Sequence, residues 1–159
     1  MGMIVCIDTH VLIWGIKKDS ASSQKMMIDR TINFLEWLQN EQQRIIVPAP
    51  VLAEFLMRIP FEEHSRISQE IQSKFMVLSF DTACASVYAH IWQKNKNNGL
   101  PSDNVGREKM KTDSMIVAIA VTNKAKILYS EDPDIQKFSK GFIETRNIPV
   151  IPRQMTLGE

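Results

Sequence analysis

Ile4-Val5-Cys6-Ile7-Asp8-Thr9-His10 is the stretch from which the fold can be read. Its four apolar residues run without alternation into an acid. An unbroken apolar run of this length belongs to a strand covered on both faces, the habit of parallel sheets. Asp8 then stands at the carboxyl end of that strand, the edge at which open α/β sheets bind ligands.

Similar runs recur along the chain. Arg44–Val47, Phe75–Leu78 and Lys126–Tyr129 read as further strands, and Ile148–Ile151 as a last one confined to an edge by its prolines. Between them lie helical patterns. Val11–Trp14 begins one, and Lys17–Ser23 is a polar loop. Gln24–Gln43 carries Met27, Ile28, Thr31, Ile32, Leu35 and Leu38 at three- and four-residue steps. Pro48 and Pro50 suit the first turn of a helix over Val51–Ile59, which Pro60 ends. Glu62–Lys74 and Thr82 to about Lys96 follow. Asn97–Lys111, with two glycines, a proline and no periodicity, reads as a long loop of the functional kind. Ser114–Val121 is apolar nearly all round and reads as a buried central helix opened by Asp113. A short helix around Ile135–Phe138 follows the turn that starts at Ser130. Strands alternating with helices make an α/β domain with a largely parallel sheet, and 159 residues suffice for one domain over 1–159.

Composition narrows the function classes. A net charge of +1 gives no global case for a nucleic-acid coat and leaves local basic residues open. Cys6 and Cys84 are far apart in apolar stretches, which argues against a disulfide framework or a zinc site and fits a reducing cytoplasm. Met1–Ile7 lacks the basic start and long apolar core of a signal peptide, and no run reaches transmembrane length.

The acids carry the chemistry. Asp8 follows the first strand and Asp132 the fourth. Glu54 lies one helical turn beyond the second strand, and Asp113 opens a helix running back against the fourth. All four therefore face one edge of a parallel sheet with right-handed crossovers. Clustered carboxylates raise one another's pKa, and a divalent cation relieves the repulsion. Oxygen donors without paired histidines or cysteines select Mg²⁺ or Mn²⁺ over zinc. Such a site suits phosphodiester hydrolysis. Each acid also has a local explanation: Asp8 as a helix N-cap, Glu54 as a surface partner of Arg58, Asp113 as a first-turn acid, and Asp132 as a turn residue before Pro133. Their shared placement is what favours a site.

Four motifs then stand in order: the strand ending in Asp8-Thr9, Val51-Leu52-Ala53-Glu54-Phe55, Thr112-Asp113-Ser114 with Met115-Ile116-Val117-Ala118-Ile119-Ala120, and Tyr129-Ser130-Glu131-Asp132. In this order the chain resembles the PIN-domain family, and in size the VapC-type toxins of toxin–antitoxin pairs. The resemblance implies a three-layer α/β/α sandwich and Mg²⁺- or Mn²⁺-dependent cleavage of single-stranded RNA. It also implies frequent homodimers and inhibition by an antitoxin protein. Carried over by position, Asp8, Asp113 and Asp132 hold the metal, and Glu54 completes the catalytic acids. Thr9 and Ser130 supply hydroxyls that orient them, and Asp134 is a possible extra acid. Arg107, Lys109 and Lys111 in the 97–111 loop are candidates for the RNA backbone. His10, with no partner histidine, is read as packing rather than ligating.

The competing class is a PIN-like module that is catalytically silent and works through a protein partner. The presence of all four acids argues against it. Phosphotransfer fits less well. A dehalogenase-type phosphatase wants a second Asp where His10 stands, and a receiver wants a late Lys where Ser130-Glu131 stand.

Overall fold

A computed structural model describes residues 2–99, 101 and 103–152. Five strands, β1 (Ile4–Ile7), β2 (Arg44–Pro48), β3 (Met76–Leu78), β4 (Ile127–Tyr129) and β5 (Glu144–Arg146), form one sheet in the order β3-β2-β1-β4-β5. Every pairing is parallel. Among the described residues seven α-helices connect and follow them: α1 (Thr9–Leu12), α2 (Met26–Asn40), α3 (Ala49–Leu56), α4 (His64–Lys74), α5 (Thr82–Lys96), α6 (Asn104–Thr122) and α7 (Pro133–Phe138). The chain moves one way across the sheet from β1 to β3 and the other way through β4 to β5. Right-handed crossovers then put the two sets of helices on opposite faces. The result is a three-layer α/β/α sandwich.

The apolar run that opens the chain sits at the centre. Val5, Cys6 and Ile7 are fully buried between β2 and β4. Phe34 of α2 meets the Tyr129 ring edge-on at 4.5 Å, tying that helix to β4. Met27, Thr31, Phe34, Leu35 and Leu38 form the inward face of α2. On α6, Ile116 through Ala120 are all buried, as expected of a central helix. Cys6 and Cys84 are both buried and unpaired. Among the described residues, no helix is long and apolar enough to cross a membrane.

Three expectations from the sequence need correcting. The segment 97–111 is not one long loop, because α6 begins at Asn104. Asp103 caps it, its side chain accepting from the Gly106 N–H at 2.6 Å. Gly106, which reads as a breaker, lets this cap close. A Cβ there would lie 2.6 Å from Asp103 Oδ1 and 2.7 Å from Pro101 Cβ. Asp113 consequently stands in the middle of α6 rather than at its start, so a first-turn dipole role is excluded. The last strand is Glu144–Arg146, not Ile148–Ile151. Pro149 and Pro152 have no N–H for a ladder, and the Ile148 N–H is taken by the Glu131 carboxylate at 2.9 Å.

The connection after β1 is also more irregular than its pattern suggests. α1 runs directly into a π-helical turn at Ile13–Lys17, and a single 3₁₀ turn at Ser22–Gln24 precedes α2. Gly15 in this turn packs closely on α2, where a Cβ would lie 2.6 Å from Leu35 Cδ1 and 3.1 Å from Thr31 Cγ2.

Candidate active site

The strand order places a topological switch between β1 and β4, where the chain leaves β1 in one direction and later fills its other side. Ligands of open α/β sheets bind at such a point, beyond the carboxyl ends of the strands. Register brings Asp8 and Ser130 level there, because Ile7 pairs with Tyr129. The Asp8 N–H continues the ladder to the Tyr129 carbonyl at 3.2 Å.

Asp8 is held from both sides. Its Oδ1 accepts from the Thr9 N–H at 2.7 Å and its Oδ2 from the Ser130 hydroxyl at 2.8 Å. Asp8 is only 5% exposed, and burial pushes its carboxyl above the usual range despite those two donors. The Ser130 hydroxyl also accepts from the Asp132 N–H at 3.1 Å, so one small residue ties two acids together. Asp132 in turn caps α7, its Oδ1 accepting from the Asp134 N–H at 2.9 Å.

Asp8, Glu54, Asp113 and Asp132 line one cleft of about 610 Å³, together with Thr9, His10, Met57, Arg58, Lys109 and Thr112. Burial, joined by the Asp8 charge, raises the Glu54 carboxyl. Burial, joined by the Asp132 and Asp8 charges, lifts Asp113 to about 7 even though Lys109 pulls it down. Asp132 goes the other way. Burial opposes its ionisation, but the hydrogen bonds from Lys109 and from the Asp134 N–H outweigh it and hold the carboxyl low.

One residue at the centre of this cluster stands out. The Lys109 ammonium lies 3.1 Å from Asp113 Oδ2, 2.7 Å from Asp132 Oδ2 and 2.9 Å from Asp134 Oδ2. Three N–H donors meet three carboxylates, the full donor count of an ammonium. Burial works against its charge, yet these carboxylates raise its pKa above the usual lysine value. Lys109 is thus a helical residue one turn before Asp113 and not a loop residue, and it is ion-paired within the cleft. The signal that could have found it is the i,i+4 spacing of Lys109 and Asp113, which counts only once 104–112 is known to be helical.

The other local explanations fare unevenly. Among the described residues Glu54 makes no ion pair with Arg58, and it faces the cleft half-buried. Asp8 and Asp132 are indeed N-caps, of α1 and α7, and stand in the cleft as well. His10 lines the cleft, but its ring packs against Trp14 with centroids 5.1 Å apart. The Thr9 hydroxyl is buried beside Glu54, whose ionised form it favours.

Donor chemistry is the test of a divalent ion here. Among the described residues, no group of three or more His, Cys, Asp or Glu side chains stands in a liganding arrangement. Asp113 and Asp132, with Asp134, are instead paired to a cation of the chain's own, the Lys109 ammonium. Their donors are all oxygens, as hard divalent ions require, and a positive charge already stabilises their approach. The donor type suits such an ion, while the side chains as they stand are arranged around the lysine and not as a ligand set.

A sequence profile of the PIN domain matches residues 5–141. The chain belongs to the PIN-domain family. Solved structures agree on the fold of this PIN domain. VapBC2 from Rickettsia felis bound to a DNA fragment from its promoter superposes with a TM-score of 0.67 at 19% identity, covering 91% of this chain and 98% of that one. FitAcB from Neisseria gonorrhoeae gives 0.62 at 17% identity, covering 91% and 97%. VapBC-1 from nontypeable Haemophilus influenzae gives 0.64 at 15% identity, covering 91% and 98%. Among curated proteins, none matches the sequence of this PIN domain.

Proposed function

We propose that this PIN domain is a Mg²⁺- or Mn²⁺-dependent endoribonuclease that cleaves single-stranded RNA and serves as the toxin of a type II toxin–antitoxin pair. The observation that carries the reading is the meeting of Asp8, Glu54, Asp113 and Asp132, from four distant segments, in one cleft at the switch point of the sheet. Asp8, Asp113 and Asp132 would hold the metal, which when bound activates a water and offsets charge on the scissile phosphate.

The remaining roles fall to the chain. Thr9 N–H and the Ser130 hydroxyl aim Asp8, and the Asp134 N–H aims Asp132, so these two carboxylates are pre-oriented. Glu54 sits half-buried across the cleft with a raised pKa, placed to orient a water and take its proton.

The same reading includes a protein partner acting as antitoxin, a homodimer and a cytoplasmic setting, as the toxin role implies. One observation favours a second reading. Lys109 already pairs with Asp113, Asp132 and Asp134, as it would in a catalytically silent module that acts through a partner.

Incubation of the purified protein with single-stranded RNA and Mn²⁺ separates the two readings. Cleavage that EDTA stops and Asp8→Asn abolishes is the expected result. If wild type and Asp8→Asn leave a mixed RNA pool equally intact, the nuclease reading is overturned.

A further inference from the structure

We infer that Lys109 is a built-in counter-cation that holds the divalent-metal position of this site and must be displaced before a metal can bind. The inference rests on the metal-dependent reading above and deepens it.

The geometry leaves little room for both cations. Asp132 has committed Oδ1 to capping α7, through the Asp134 N–H at 2.9 Å. Its other oxygen, Oδ2, is the one turned to Lys109 at 2.7 Å. Asp113 likewise presents Oδ2 to the same ammonium at 3.1 Å. Mg²⁺ needs ligand oxygens at about 2.0–2.1 Å and near-octahedral geometry. An ion using those two oxygens would sit against the Lys109 nitrogen, and two positive charges at that separation repel strongly.

The side chain is also able to leave. Its stem starts on the first half of α6, and 44% of the side chain is exposed. Asp134, more exposed at 54%, is the third partner and lies outside the proposed metal ligands. Displaced from Asp113 and Asp132, the ammonium can stay on Asp134 at the rim of the cleft. Asp134 thereby acquires a role: it holds the lysine when the site is loaded. In the metal-free chain Lys109 relieves repulsion among Asp113, Asp132 and Asp134, of which Asp113 is the most buried, so it stabilises the fold while weakening metal affinity.

The test is calorimetric titration of Mn²⁺ into EDTA-treated, dialysed protein, with wild type beside Lys109→Met. Removing the competitor should tighten Mn²⁺ binding about tenfold, on the scale of a partly exposed ion-pair network. The metal-free Lys109→Met protein should melt at a lower temperature than wild type and gain more than wild type from added Mn²⁺. Lys109→Gln, which keeps donors and drops the charge, should bind Mn²⁺ more tightly than wild type and serves if the Met variant does not fold. Wild type and either variant binding Mn²⁺ equally, or the variant binding more weakly, would overturn the counter-cation role and leave the nuclease reading intact. Folded wild type and variants that all fail to bind Mn²⁺ would overturn both.

Discussion

Replacing Asp113 with Asn should stabilise the metal-free protein, and more at pH 8 than at pH 5. Burial, with the Asp132 and Asp8 charges, lifts the Asp113 carboxyl from 3.8 to about 7 against the opposing pull of Lys109. A carboxyl whose pKa is higher in the folded chain binds more protons folded than unfolded between those two values. Its contribution to stability is therefore largest below the unfolded value and is lost as pH rises from 3.8 through about 7. At about 1.36 kcal/mol per pH unit, the full loss is roughly 4 kcal/mol, of which about 2.5 kcal/mol falls between pH 5 and pH 8. Asparagine keeps the shape and does not titrate. It gives Lys109 a neutral acceptor in place of a charged one, at a cost under about 1 kcal/mol for a partly exposed ammonium.

Urea denaturation in EDTA at the two pH values measures the effect. The gain from Asp113→Asn should be about 2 kcal/mol larger at pH 8 than at pH 5. Equal gains at both pH values, or a loss at pH 8, would refute the claim that this carboxylate is held ionised against its surroundings. The same substitution should abolish Mn²⁺ binding, so stability and metal affinity would move in opposite directions.

Other outcomes follow from single contacts. Ser130→Ala removes the hydroxyl that donates to Asp8 and accepts from the Asp132 N–H; Mn²⁺ affinity should fall about 10–100-fold by calorimetry, and an unchanged affinity would show that neither acid needs this residue for its aim. Asp103→Ala removes the cap of α6 and should cost about 1 kcal/mol in thermal or chemical denaturation; amide exchange should rise at residues 104–107, and unchanged protection there would contradict a capped helix start.

Much of the architecture is legible in local patterns. The β1 run is apolar on both faces because β2 and β4 flank it and helices cover both sides, so the absence of alternation reports its central place. Met27, Thr31, Leu35 and Leu38 recur at helical steps because α2 buries one face, whatever the details of its neighbours. Where local signals compete, the reading fails. Gly99, Pro101 and Gly106 look like loop punctuation. The Asp103 cap on the Gly106 N–H turns the last of them into the opening of α6. Ile148–Ile151 has the composition of a strand, but Pro149 within it and Pro152 after it cannot donate, and the shorter Glu144–Arg146 pairs with β4 instead.

The acids divide in the same way. That Asp8, Glu54 and Asp132 face one edge follows from strand ends and crossover direction, which the order of apolar runs along the chain is enough to determine; Asp113 joins them from the middle of α6, not from the helix start that argument assumed. What surrounds them does not follow. Lys109 reaches Asp132 and Asp134 across 23 and 25 residues of sequence, through the packing of α6 against α7. Periodicity reports which face of a helix is buried, since burial depends on each residue's own polarity. It carries no record of which charge on one helix meets which on another, because that is set by the distance and rotation between elements. Only the folded chain decides that the acids close around a lysine, and with it how tightly a metal can be held.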